Sequence, residues 1–404
     1  MARWVTGIIT DHQSKDLTKE SNISRNFNLR RNRNMVVDYD RRVWVMVLMV
    51  FLQCSTSIEL VGASPQVSAM FVFGDSIVDT GNNNFLNSIA KANYWPYGCD
   101  SPSRFPSGRF CNGKTVVDFM GDMLGIPAPP PFADPATTGP RLSGGVSYAS
   151  AASGILDDTG RHYGDRYTLS QQVVNFETTL DQLRRMMTPA NLTRYLAKSV
   201  AFMVFGSNDY INNYLMPSMY PTSFQYSPPD FANLLLNHYA RQLVALQSVG
   251  LRKFFLAGVP PLGCIPNQLA TGQAPPGRCL DYVNQMLGTF NEGLRALATS
   301  LNRDHPGSVF VYGNTYGIVG DMLNNPPRFG FRVVNESCCG SGRNQGRITC
   351  MPLQPPCFNR NSYLFWDAYH TTEAANYVMA QRTYSGPPSD CFPINIQQMA
   401  SINL

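Results

Sequence analysis

Four side chains in three distant stretches have the types and spacing for acyl transfer. They are Ser76 in "MFVFGDSIVDTGNNN" (70–84), Asn208 in "FGSNDYINN" (205–213), and Asp367 with His370 in "YLFWDAYHTTEAAN" (363–376). A serine hydroxyl becomes a nucleophile only when a neighbouring base takes its proton. The three-residue spacing of Asp367 and His370 puts both side chains on one side of a turn. The carboxylate can then accept from one ring nitrogen and leave the other for the serine proton. The Asn208 amide, with backbone N–H groups, suits the oxyanion that forms when a hydroxyl attacks a carbonyl. Each feature also has a plainer reading. "FGDS" can be an ordinary strand-to-turn junction, Asn208 an Asx-turn, and Asp367–His370 a pair capping a helix.

The rivals are weaker. Of the five histidines, His12 falls in a leader segment, His162 and His305 fall in polar loops, and His238 falls in a helix-patterned stretch. "GVSYA" (145–149) approaches a nucleophile elbow, but Ala149 stands where glycine belongs and Ser147 lies inside a strand pattern. No His-Glu-x-x-His and no phosphate-binding loop occurs in the sequence.

These residues must be positioned by longer elements. Five short β-prone runs stand out: "AMFVF" (69–73), "GVSYA" (145–149), "VAFMVF" (200–205), "KFFLAGV" (253–259) and "SVFVYG" (308–313). Segments with helical spacing separate them, at 113–125, 169–187, 229–250, 279–302 and 371–385. Alternating strands and helices predict a parallel sheet with helices on both faces. Ligands of such sheets bind beyond the carboxyl ends of the strands. In a strand order of 2-1-3-4-5, the loops carrying Ser76, "SYASAASGIL" and Asn208 converge on one cleft. The Pro-rich segment 125–140 reads as a surface loop or a wall of that cleft, and the aromatic loops 94–113 and 211–229 as further walls or as packing.

Composition bounds the rest. The 404 residues are 44% hydrophobic and 15% charged, with a net charge of +5. Residues 1–64 carry nine basic and six acidic residues, which leaves only +2 downstream and no basic face for nucleic acid. "RRVWVMVLMVFL" (41–52), followed by "LVGAS", has the layout of a secretory signal over 35–63, with cleavage after Ala63. The apolar run is too short to span a bilayer, so the mature chain is expected to have no transmembrane anchor. Residues 1–34 read as a disordered leader and Met35 as the start of translation. The remainder, 64–404, reads as a single domain.

Nine cysteines follow the signal, an odd number that allows at most four bridges. Cys99 with Cys111, and Cys264 with Cys279, each bracket a Pro/Gly-rich loop and are spaced for local pairing. Connectivity among Cys338, Cys339, Cys350 and Cys357 is not legible, and no finger-spaced pairs argue for a metal. Asn191 and Asn335 head glycan-acceptor triplets.

Taken together, the blocks "FVFGDSIVDTGNNN", "FPSGRFCNGKTVVDF", "GVSYASAASGIL", "VFGSNDYINNYL", "GVPPLGCIP" and "FWDAYHTTEAAN" resemble the plant-type Gly-Asp-Ser-Leu (GDSL) esterases and lipases of the SGNH hydrolase superfamily. The resemblance runs from Met70 to the C-terminus. It implies a flavodoxin-like α/β/α sandwich around a five-stranded parallel sheet. It also implies a secreted, extracellular carboxylic ester hydrolase that needs no cofactor and acts on small-molecule or lipid esters. Ser76 then matches the nucleophile, His370 the general base and Asp367 the residue that orients it. The oxyanion site would comprise Asn208, the Ser76 N–H and one donor from the second block. In that block Ala151 stands in place of the expected glycine, with Gly154 as a neighbouring alternative, and Ser147 replaces the usual asparagine. An acyltransferase would use the same residues. A non-catalytic wall or sugar-binding protein of the same fold is the remaining alternative.

Overall fold

The apolar runs form strands because both faces of each are covered, the situation that favours continuous apolar sequence over alternation. A computed structural model describes residues 66–404 of the chain, so the expected leader and signal segment lie outside the described residues. Four strands, β1 (Met70–Gly74), β2 (Val200–Val204), β3 (Lys253–Ala257) and β4 (Val309–Gly313), pair in parallel in that order. Phe71, Ala201, Phe254 and Phe310 share one row of the register. A short β5 (Cys391–Phe392) closes the β4 edge antiparallel.

The expected second strand differs in its regularity. Residues 144–150 run parallel along the free edge of β1, with Met70 N–H to Gly144 O at 3.1 Å and Tyr148 N–H to Val72 O at 2.7 Å. On its other side Ser147 exchanges backbone bonds with the 130–132 segment, so pairing is confined to isolated bridges. The lateral order is nevertheless the expected one, 144–150, β1, β2, β3 and β4, with β5 added beyond β4.

Side-chain alternation divides the core into two layers, giving a three-layer α/β/α sandwich. Phe71, Phe73, Met203, Phe254 and Leu256 face α2 (Leu169–Met186), α3 (Pro189–Lys198), α4 (Pro228–Ser248) and α5 (Asp281–Asp304). Val72, Phe202, Phe255 and Val311 face the opposite layer, which contains α1 (Val116–Leu124) and the C-terminal α8 (Ile396–Ser401). On that side α6 (Thr315–Asn324) and α7 (Glu373–Ser385) bury Ile318, Val319, Ala375 and Met379 around Leu364 and Phe365. Local chemistry sets the helix starts. Thr168, Ser227 and Thr372 each accept an N–H of the first turn of α2, α4 and α7, satisfying donors that have no helical partner. No described helix is long and apolar enough to cross a membrane.

Among the described residues there are three disulfides: Cys264–Cys279, Cys338–Cys357 and Cys339–Cys350. The first is the expected local pair. The expected Cys99–Cys111 pair is not formed, and both thiols are free, as is Cys391. Backbone bonds do join the two segments, Gly98 N–H to Cys111 O at 2.9 Å, but the buried Cys111 thiol donates to Gly113 O instead.

Candidate active site

Ser76 stands in the turn that leaves β1. Gly74 ends the strand where a Cβ would sit 2.8 Å from the Val204 carbonyl oxygen, so only glycine lets β1 and β2 stay paired there. The buried Gln172 of α2 clamps this residue, accepting the Gly74 N–H at 2.9 Å and donating to its carbonyl at 2.8 Å. Asp75 is buried and accepts the Ile77 N–H at 3.0 Å, which fixes the turn. Burial pushes the Asp75 carboxyl up to about 7, against the pull of the Ile77 N–H and of His370.

His370 reaches the same point from the other end of the chain. It lies in the turn between strand Tyr363–Phe365 and α7. Asp367 is buried and organises that turn by accepting the N–H groups of Tyr369 and His370, each at 2.8 Å. In the tautomer protonated at Nδ1, His370 donates to both Asp367 oxygens at 2.8 Å. Its Nε2 then accepts the Ser76 hydroxyl at 2.7 Å. The buried Tyr97 hydroxyl donates to Asp367 Oδ2 at 2.6 Å. Burial alone would raise the Asp367 carboxyl, but His370, the Tyr97 hydroxyl and the Tyr369 N–H outweigh it and hold the group below the usual carboxylate range. Sequence reasoning missed Tyr97, because nothing in its surroundings announces a partner 270 positions away.

Loops two and three line the cavity beside Ser76. The Ala151 N–H is committed to Asp79 Oδ2 at 3.2 Å and Asn83 Oδ1 at 3.0 Å. Ala152, the next residue, adopts φ 66°, lines the cavity beside Ser76, and has an N–H with no acceptor among the described residues. Gly154 serves packing, since a Cβ there would meet Asp209 Oδ1 at 2.6 Å. Asn208 also lines the cavity. Its Oδ1 accepts from Asn212 Nδ2 at 2.6 Å, and one Nδ2 proton goes to Ser153 O at 2.9 Å, leaving the other free.

The "DTGNNN" run, left without a role by the sequence, ties these loops together. Asp79 accepts the N–H groups of Gly81 and Asn82, both at 2.7 Å, as well as that of Ala151. Asn82 donates to the Ser147 and Ala149 carbonyls, both at 2.8 Å, and Asn83 Oδ1 accepts the Ser150 hydroxyl at 2.6 Å. From the third loop, Asp209 accepts from Ile155 N–H at 2.8 Å, Leu156 N–H at 3.0 Å and Thr159 Oγ1 at 2.8 Å. Burial pushes both Asp79 and Asp209 up to about 6 despite these bonds. Ser147, with its hydroxyl buried and unpartnered, is sealed into this pairing. His162 bonds Tyr220 at 2.8 Å, and His238 and His305 sit on α4 and at the end of α5.

A continuous cavity of about 250 Å³ opens at Ser76. Tyr94, Tyr97 and Phe110 from loop 94–113, and Ile211 with Asn212 from loop 211–229, contribute walls. Loop 125–140 contributes none, because it pairs with 145–149 on the outside of β1.

A parallel α/β/α sandwich that carries a hydroxyl, an imidazole and a carboxylate in hydrogen-bonded sequence at its carboxyl edge has the architecture of the SGNH hydrolases. The chain belongs to the GDSL-like lipase/acylhydrolase family, whose model matches residues 70–383. It is 60% identical over 345 residues to the GDSL esterase/lipase At1g71250 of Arabidopsis thaliana, covering 85% of this chain and 92% of that protein. It is 50% identical over 342 residues to GDSL esterase/lipase 7 of the same plant, covering 84% and 93%. The protein is therefore a carboxylic ester hydrolase.

Proposed function

We propose that the hydrolase works through an acyl-serine intermediate on Ser76. The observation that carries this reading is the 2.7 Å contact between Ser76 Oγ and His370 Nε2, backed by the 2.8 Å contacts from Nδ1 to Asp367. Ser76 Oγ attacks the ester carbonyl while His370 Nε2 takes its proton, and the buried Asp367 carboxylate stabilises the imidazolium. The oxyanion receives the Ser76 N–H, the Ala152 N–H and the free Asn208 Nδ2 proton. Ala152 replaces Ala151 in this role because the Ala151 N–H is already spent on Asp79 and Asn83. As the tetrahedral species collapses, His370 gives its proton to the departing alkoxide. Water, deprotonated by the same nitrogen, then releases the acid and restores the serine.

The protein is secreted in this reading, with 35–63 removed as a signal and 64–404 as the mature domain. The three disulfides fit an oxidising compartment. Asn191 and Asn335 are exposed, as glycan acceptors must be.

A fluorophosphonate probe tests the catalytic proposal, since it reacts only with an activated serine. Labelling should map to Ser76 and vanish in Ser76→Ala and His370→Ala proteins. Wild-type protein that hydrolyses p-nitrophenyl acetate without labelling at Ser76 would overturn the assignment.

A further inference from the structure

The asparagine of the oxyanion site is itself held by a partner. Asn208 and Asn212 are four residues apart, the spacing that puts two side chains on one face of a helical turn. Both are buried, and both line the cavity at Ser76. Between Tyr210 and Tyr214 the chain widens into a single π-type turn, and Asn212 leaves helical geometry at φ −116°, ψ 20°. Turns of this kind interrupt a helix and recur at functional sites.

The orientation of both amides follows from one backbone group. The Ser153 carbonyl can only accept, so the end of the Asn208 amide that lies 2.9 Å from it is Nδ2. Oδ1 then faces Asn212, whose Nδ2 donates to it at 2.6 Å. That leaves Asn212 Oδ1 to accept the Tyr163 hydroxyl at 3.3 Å. Donors and acceptors therefore run in one direction, from Tyr163 through Asn212 to Asn208 and its remaining Nδ2 proton. The bond from Asn212 pins the negative end of the Asn208 amide, which would repel an oxyanion if it swung into the cavity. The bond also draws electron density towards Oδ1 and makes the free N–H a stronger donor, because hydrogen bonds in series polarise one another.

We infer that Asn212 is a positioning residue of the oxyanion site, orienting and polarising Asn208 rather than acting on the substrate. The inference rests on Asn208 being an oxyanion donor. The next residue supplies a contrast. Asn213 is also buried, but its Nδ2 donates to Thr159 Oγ1 at 3.0 Å and its Oδ1 accepts the Thr222 hydroxyl, so it ties loops together with no bond to Asn208.

An effect carried through Asn208 disappears when Asn208 is absent, whereas a loss of packing persists. The test is a double-mutant cycle on kcat for p-nitrophenyl acetate, using the wild type, Asn208→Ala, Asn212→Ala and the double variant. Rates are expressed per Ser76 labelled to completion by fluorophosphonate, so that unfolded protein drops out. In the wild-type background Asn212→Ala should lower kcat about tenfold and leave KM within about threefold. In the Asn208→Ala background the same change should alter kcat by less than about threefold. Asn213→Ala is the packing control, and any loss it causes should be equal in the two backgrounds. A kcat for Asn212→Ala within about threefold of the wild type, or an equal loss in both backgrounds, would overturn the inference. So would an Asn213→Ala loss that also vanishes with Asn208, because the coupling would then belong to the whole loop. Wild-type kcat in Asn208→Ala would instead remove the oxyanion reading on which the inference depends.

Discussion

Tyr97→Phe isolates a single hydrogen bond and carries a pH signature. The substitution removes the hydroxyl that donates to Asp367 Oδ2 at 2.6 Å and leaves the ring in its place between Phe110 and Trp366. Asp367 keeps the Tyr369 and His370 N–H groups and the imidazole, so the site should remain assembled. Hydrogen bonds to charged groups contribute about 1.5–3 kcal/mol, and one donor of four is lost, so stability at pH 7 should fall by about 2 kcal/mol. The cost should depend on pH in a known direction. Asp367 titrates below the usual range in the folded protein, so its contribution is present above the unfolded-state value and is lost as pH falls through the folded one. Without the Tyr97 hydroxyl the folded value moves up, and the contribution is lost earlier on acidification. Urea unfolding of both proteins between pH 7 and pH 3 should show the largest gap at neutral pH and a narrowing gap as the carboxyl protonates. In parallel, kcat/KM at pH 7 should fall roughly tenfold through weaker support of the imidazolium. A stability gap that is constant with pH, with kcat/KM unchanged, would show that Tyr97 only fills space.

Asn208→Ala should lower kcat by about 10²–10³ with little change in KM, the signature of a donor engaged only in the transition state. A kcat within threefold of the wild type would remove Asn208 from the oxyanion site. Ala152→Gly keeps the N–H and relieves a left-handed backbone at φ 66°, so p-nitrophenyl ester activity should stay within about threefold and stability should not fall. A loss above tenfold would mean that the methyl group itself shapes the site. For Asp75, whose folded value rises from 3.8 to about 7, the favourable contribution is complete below about 4 and disappears as pH rises through 7. Wild type measured against Asp75→Asn by urea unfolding should therefore lose relative stability between pH 5 and pH 8, and a flat difference would refute the burial argument.

The sheet was legible because four of its strands are apolar at nearly every position, which reflects burial on both faces. Helices α2, α4 and α5 were equally legible from their spacing. The ten-residue α3 and α6 and the six-residue α8 were not legible, although the nine-residue α1 was, within 113–125. β5 has two residues and exists only because the β4 edge is there to receive it. In the site, Ser76, Asn208, Asp367 and His370 were nominated from the sequence, and the fold does bring them to one cavity. What escaped were the supports. Tyr97, Gln172 and Asp209 each act across long separations in the chain. The choice between Ala151 and Ala152 turns on one backbone angle and on where Asp79 and Asn83 point. The Cys99–Cys111 expectation failed because adjacency of backbones does not by itself align two thiols.

Ser76 and His370 stand 294 positions apart. During synthesis the hydroxyl leaves the ribosome long before the imidazole exists. α7 and β5, which pack the imidazole's turn and close the sheet, come later still. Every shorter product that ends between residues 76 and 370, whether a nascent chain or the outcome of a premature stop, carries the hydroxyl without the imidazole proposed as its base. Under the proposed mechanism the enzyme is silent until its chain is nearly finished, and premature stops before residue 370 should behave as null alleles.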